Sequence, residues 1–391
     1  MFAEVEPSFR RQQWFKPGEQ VMNITDIRFR PIAIPYRVPW RNRHTEERGA
    51  PMTHLQTAIL EVSTDAGITG LGEVRGTGPS ATLQQRLAAL LEGQDPTRIS
   101  ALVPILEREF GHGPLTAGID FALHDIKGKH LGVPVYELLG GKYRERVPLV
   151  WTLPYLSVEE QVVQALQMVQ EGFTHAIKMK VGVPGDSEHI RAVADVIGEV
   201  PIRPDSNMGH SKHDALKQLA ELKNTGVKYE LIEDPCPIDF DDYQEIGEAL
   251  SNPISVHGGI ESHADVTRLI RSGVPAIHCM NVMITHWGLY RASQIVSALE
   301  VAGIGWTLGT SHDSSIKMSA AFNLATAMSN RIYPCDLLGP RLHADDVASE
   351  PLKISAGYGY APDRPGLGIE LDEGVMARWD ARNVEVPTQV D

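Results

Sequence analysis

Two lysines close a short apolar run in HAIKMKVG, residues 175–182. Residues i and i+2 of a strand share a face, so Lys178 and Lys180 would point the same way. Ammonium groups that close repel each other. Such a pair either lies on a solvated edge or is held together for chemistry. Polar residues also end the later runs. Asp205 and Asn207 end VPIRPDSN, Glu233 and Asp234 end YELIEDP, and His257, Asn281 and the His312/Asp313 pair follow. Asp205 and Glu233 are hard oxygen donors that suit a divalent cation with water ligands, Mg²⁺ by default. Taken singly, Asp205 also reads as a helix cap and Glu233 as a surface charge. Glu233 directly follows an apolar run, which weakens the surface reading.

These residues need a frame that brings run ends together. From about Leu149, short apolar runs alternate with helical patterns such as VEEQVVQALQMVQEG and ASQIVSALEVAG. That alternation predicts a parallel sheet, and the number of units favours a (β/α)8 TIM-type barrel over an open sheet. The C-terminal strand ends of such a barrel form one rim, where side chains far apart in sequence converge. Residues 23–148 read differently. ITDIRFRPIAIPY and LQTAILEVSTDAGITGLGEV form a meander with its turn at TDAG, followed by amphipathic helices. The expected organisation is an extension over 1–22, an α+β domain over 23–148, the barrel over 149–364, and a C-terminal segment over 365–391 that packs back on the first domain.

The 391-residue chain is 42% hydrophobic and 22% charged, an ordinary globular composition. A net charge of −14 disfavours a nucleic-acid interface. It does not disfavour an anionic substrate, because a site can be locally positive. No apolar run reaches membrane-spanning length, and the first twenty residues lack the apolar core of a signal peptide. Three scattered cysteines form neither a zinc spacing nor a disulfide framework. A cytoplasmic enzyme acting on a small-molecule carboxylate is expected, with no nucleic-acid or membrane partner, and a homo-oligomer.

AGITGLGE (66–73), AGIDFALHDIKGKHLGVPVYELLGG (117–141), KMK (178–180), DSN (205–207), EDP (233–235) and PGLGIE (365–370) occur in an order and spacing that resemble the mandelate racemase/muconate lactonizing branch of the enolase superfamily. The resemblance covers nearly the whole chain after the first twenty residues. It implies an α+β capping domain over a modified barrel, and a Mg²⁺ ion on Asp205 and Glu233. It also implies that Lys180 is the base for the proton α to a carboxylate and Lys178 its electrostatic partner. A neighbouring ammonium and a nearby cation would favour neutral lysine and lower its pKa. Asn207, Arg43, His44, Asn281 and Asp313 are candidate substrate contacts, with a lid over residues 36–54.

Two positions depart from the family pattern. Gly258 stands where an acidic or Asn third ligand is usual, so His257, or Glu261 from the following loop, is expected to complete the site. Histidine would shift preference toward Mn²⁺, Fe²⁺ or Zn²⁺. The sixth strand end carries Asn281 and Met283 and no lysine, whereas His312 matches the racemase-type histidine. A lysine base facing a histidine general acid suits dehydration of a sugar acid to a 2-keto acid, and that is the leading expectation. A racemase or epimerase and a lactone cycloisomerase are the alternatives on the same scaffold. A Schiff-base aldolase and a non-catalytic binding protein lie further off.

Overall fold

The computed structural model describes residues 22–183, 185–224, 226–309, 312–329, 331–384 and 386. The expected extension over residues 1–22 lies outside the described residues, apart from Met22. Strand β1 (Ile24–Trp40) pairs antiparallel with β2 (Met52–Thr64), which pairs with β3 (Thr69–Arg75). The β2–β3 turn sits at TDAG, where Gly67 adopts φ 74° and Thr64 N–H donates to Ile68 O. β1 extends four residues past the run read from the sequence, with an irregularity between Pro35 and Trp40.

Helix Pro114–Leu131 lies directly on β3. A Cβ at Gly70 or Gly72 would fall 2.2 Å from Ala122 O or 2.1 Å from Gly118 O, so GLG is what lets helix and strand touch. Two acids of AGIDFALHDIKGK act as clamps. Asp125 accepts from Leu71 N and Leu367 N and pairs with Lys129. Asp120 accepts from Tyr290 N at a kink where Gly288 has φ 67°.

β4 (Val147–Pro148) leads into the barrel. Seven parallel strands follow: β5 (Trp151–Leu153), β6 (Ile177–Lys180), β7 (Ile202–Asp205), β8 (Ile232–Glu233), β9 (Ile254–Val256), β10 (Ile277–Asn281) and β11 (Gly305–Thr307), neighbours in chain order. Residues 332–336 close the ring. Ile332 and Asp336 pair with Trp306 and Gly309, and Cys335 pairs with Leu149 just before β5. Pro334 interrupts this eighth segment, so no strand pattern marks it in the sequence. The segment after Leu371 returns to β1, with Ile32 opposite Asp380 and Arg30 paired to Glu373 at 2.6 Å. Among the described residues, no helix is long and apolar enough to cross a membrane.

Candidate active site

β6, β7 and β8 end level. Their register sets Lys180 opposite Asp205, and Asp205 opposite Glu233. Lys178 Nζ lies 2.9 Å from Asp205 Oδ2, 2.9 Å from Glu233 Oε2 and 3.5 Å from Asp336 Oδ2. Lys180 Nζ donates to Asp205 Oδ2 at 2.6 Å and to Asn207 Oδ1 at 3.1 Å. The lysine pair is therefore inside the barrel mouth and not on a solvated edge. Lys178, Asp205 and Glu233 are buried. Lys180 is more open and lines a cavity of about 750 Å³ with Val38, Arg41, Glu46, Tyr155 and Asp186. Asp336, at the end of the closing segment, was not among the residues expected here.

Burial pushes the Lys178 ammonium down most strongly, but Asp205, Glu233 and Asp336 together outweigh it and hold it above the ordinary lysine range. The sequence led us to expect mutual repulsion to dominate between the lysines. In the fold the carboxylates dominate. Burial likewise pushes Asp205 up, and the two lysines reverse this and hold it far below the usual carboxylate range. Asn281 Nδ2 donates to Glu233 Oε1 at 2.8 Å. Gly309 makes room for that amide, because a Cβ there would lie 2.8 Å from it.

Asp234, at φ 44°, accepts from the backbone N–H groups of His257 and Gly258 at 2.8 and 3.0 Å. It fastens the turn after β9. The His257 ring faces the same carboxylate, with Nδ1 3.5 Å from Asp234 Oδ2. Burial pushes its pKa down, but Asp234 outweighs that and holds it above the ordinary imidazole value. Glu261 is exposed, and its carbonyl accepts from His286. Glu233 and Asp205 also act on the His257 ring and raise its pKa, while among the described residues no three His, Cys, Asp or Glu side chains are grouped to hold a metal ion. The Asp205–Glu233 pair itself fits a hard divalent cation. Both carboxylates are buried at one level of the barrel, and Glu233 Oε2 makes an ion pair without a hydrogen bond.

His312 follows β11 at φ 62°. Its Nδ1 lies 3.3 Å from the Tyr36 hydroxyl, and its ring centroid 3.9 Å from that of Trp40. Burial and then Lys180 push its pKa down to about 3, against the pull of Asp313. Asp313 points elsewhere, pairing with Lys317 at 2.6 Å and accepting from Thr285 at 3.4 Å. Buried Glu73 of β3 accepts from Ser314 N and Ser314 Oγ, which ties the capping sheet to the His312 loop.

The lid segment contains a helix, Arg43–Arg48, with a capping box between Asn42 and Thr45. Arg43 donates to Asn207 O at 3.1 Å and so seats this helix on the DSN loop. His44 is exposed beside Glu47. His286 and Trp287 pack against His112 and His263.

A capping sheet over a parallel barrel, with paired lysines facing paired carboxylates on consecutive strand ends, defines the enolase-superfamily class of protein. The chain belongs to its mandelate racemase/muconate lactonizing enzyme branch. Residues 39–140 match the N-terminal domain of that family and residues 160–375 the enolase C-terminal domain-like family. Muconate cycloisomerase 1 of Rhodococcus opacus is 28% identical over 92% of this chain and 98% of its own. N-succinyl-L-Arg/Lys racemase of Bacillus cereus is 30% identical over 91% and 97%, and its crystal structure gives a TM-score of 0.83 with 92% and 98% covered. The muconate lactonizing enzyme of Pseudomonas fluorescens, solved with muconolactone, is 27% identical, covers 92% and 100%, and gives 0.82. Enzymes of this family use a divalent metal. These relatives are isomerases, and none of them supports the expected hydro-lyase.

Proposed function

We propose that this protein is an isomerase that moves a proton on the carbon α to a carboxylate, with Lys180 serving one face of the substrate. The reaction type is opening or closing of a ring by an internal carboxylate, as in a lactone cycloisomerase. One observation carries this reading. The lysine pair on Asp205 and Glu233 is the strong acid/base group of the rim, and its counterpart positions lack one. Asn281 and Met283 occupy the sixth strand end, and His312 is held neutral down to about pH 3. A neutral imidazole can donate a hydrogen bond but is too weak an acid to hand its remaining N–H proton to a departing hydroxide, which removes the support for dehydration. Racemisation needs a proton carrier on each face, and so weak a base serves the second face poorly.

Asp205 and Glu233 would hold the divalent ion, Mg²⁺ or Mn²⁺, which stabilises the charge on the substrate carboxylate as the α-proton leaves. In ring opening, neutral Lys180 takes the α-proton. The C–H electron pair enters the enediolate, which then expels the ring oxygen from the β-carbon with the C–O pair. In closure, the internal carboxylate adds to the double bond and the Lys180 ammonium returns the proton. Asn207 aims Lys180 through its 3.1 Å hydrogen bond, and the Arg43 helix covers the cavity.

The test is proton NMR in D₂O, with unsaturated dicarboxylic acids, their lactones and N-acyl amino acids as the panel. Deuterium should enter at one face only, together with ring opening or closing. Inversion at the α-carbon of an N-acyl amino acid would replace this reading with racemisation. Absence of α-exchange across the whole panel would defeat both.

A further inference from the structure

His312 has a partner that its sequence neighbours do not predict. Asn281 is bound to Glu233, and Asp313 is engaged by Lys317 and Thr285. Among the described residues, the partner of Nδ1 is Tyr36, 276 positions away on the capping strand. Tyr36 meets the imidazole edge-on, with centroids 5.8 Å apart and planes at 86°. Trp40, four residues along the same strand, packs against the ring. His343 sits behind, opposite Tyr36 in an antiparallel bridge, with its ring centroid 5.0 Å from the phenol. The charged groups that act on this cluster are Lys180, Lys178, Asp313, Arg75 and, on His343, Arg37.

We infer that Tyr36 is a positioning residue that donates its hydroxyl proton to His312 Nδ1, leaving the ring's own proton on Nε2 as a fixed hydrogen-bond donor. What that donor meets, a substrate oxygen, rests on the isomerase reading above. The placement of the proton does not.

The direction of the bond follows from the two groups. Burial holds the phenol above its ordinary range, while the imidazole sits well below its own. Both groups are therefore neutral, the phenol keeps its proton, and His312 Nδ1 is the hydrogen-bond partner within its reach among the described residues. The opposite arrangement, Nδ1–H toward the phenol oxygen, would require the buried hydroxyl proton to find another acceptor. A carboxylate partner would act in reverse. It would accept from Nδ1–H, leave Nε2 bare and raise its basicity. With tyrosine in that place, the ring changes from a base to a neutral donor, a role known for imidazoles of depressed pKa. Because the tyrosine comes from the capping sheet, the donor is set only where that sheet closes on the barrel.

The experiment labels the full-length protein with ¹⁵N-histidine and reads the ring nitrogens by two-bond ¹H–¹⁵N NMR. His312 signals are assigned by their loss in His312→Gln. The wild type should show Nε2–H with an unprotonated, hydrogen-bonded Nδ1 from pH 8 to pH 5. Tyr36→Phe keeps the ring packing and removes the hydroxyl. Its Nδ1 resonance should shift and the two tautomers should mix. Turnover should fall roughly tenfold, the scale of one lost hydrogen bond, with the loss in kcat and KM nearly unchanged. An Nδ1–H tautomer in the wild type overturns the inference even if the variant does not fold. An unaltered Nδ1 in Tyr36→Phe does the same. Failure of the isomerase reading would show separately, as a wild type without α-proton exchange whose tautomer is still Nε2–H.

Discussion

The Met208 thioether lies against Gly258 in the place a side chain at 258 would occupy. A Cβ there would come within 2.4 Å of Met208 Cε and 2.5 Å of Sδ. Met208 reaches this point from a strained turn, since Asn207 and Met208 have φ of 44° and 61°. The glycine at the usual third-ligand position is thus matched to a methionine from the preceding loop. His257 is held beside Asp234, with Nδ1 3.5 Å from Oδ2.

Gly258→Asp alone should gain little metal affinity, because the new carboxylate must displace Met208. Gly258→Asp combined with Met208→Ala should bind Mg²⁺ or Mn²⁺ at least about tenfold more tightly than wild type, the scale of one added charged contact. Titration calorimetry checks this. Equal affinities for the double variant and the wild type would show that position 258 does not face the metal.

The acid limb of stability should be set partly by two buried rings. Burial pushes both His312 and His343 down to about 3. Above about pH 6.5 both are neutral in the folded and unfolded chain, and neither makes stability depend on pH. Between about pH 6.5 and 3 the unfolded chain takes up protons that the folded chain refuses. Stability then falls with pH by up to about 1.4 kcal/mol per unit for each ring. His343→Leu should remove one such contribution, so the gap between variant and wild type should widen in the variant's favour from pH 7 to pH 4. Urea unfolding across that range measures it, and a gap independent of pH would contradict it.

How much of this was legible follows from where each signal lies. KMK, DSN and EDP each end an apolar run, so their shared level on the rim could be read from local pattern alone, and the register bears it out. The lid helix also had a local signature, Asn42 and Thr45 three residues apart, yet its charged composition read as loop. Asp336 carried no such signal, because Pro334 breaks the strand pattern before it. Tyr36 reaches His312 across two domains, and a contact of that kind leaves no periodicity in either segment. The general-acid role expected for His312 rested on its match to the racemase-type histidine, and nothing in its local sequence pointed to the Tyr36 hydroxyl from the capping sheet.

The two carboxylates now share an ammonium. Lys178 Nζ bridges Asp205 Oδ2 and Glu233 Oε2 at 2.9 Å each, so a divalent cation held by those oxygens must compete with it. Two unit charges 4 Å apart exchange about 4 kcal/mol at an effective dielectric constant of 20. A third of that is already about tenfold in affinity. Lys178→Met keeps most of the stem volume and removes the charge. It should bind Mg²⁺ or Mn²⁺ at least about tenfold more tightly in calorimetry. Its turnover should fall sharply, because Lys180 would lose the ammonium that shares Asp205 with it. The metal-free variant should also be less stable than wild type by about 3–5 kcal/mol, since Glu233 and Asp205 lose a buried partner. Added metal should recover much of that difference in thermal unfolding. Weaker metal binding by Lys178→Met would mean that the ammonium supports the cation site and does not compete with it.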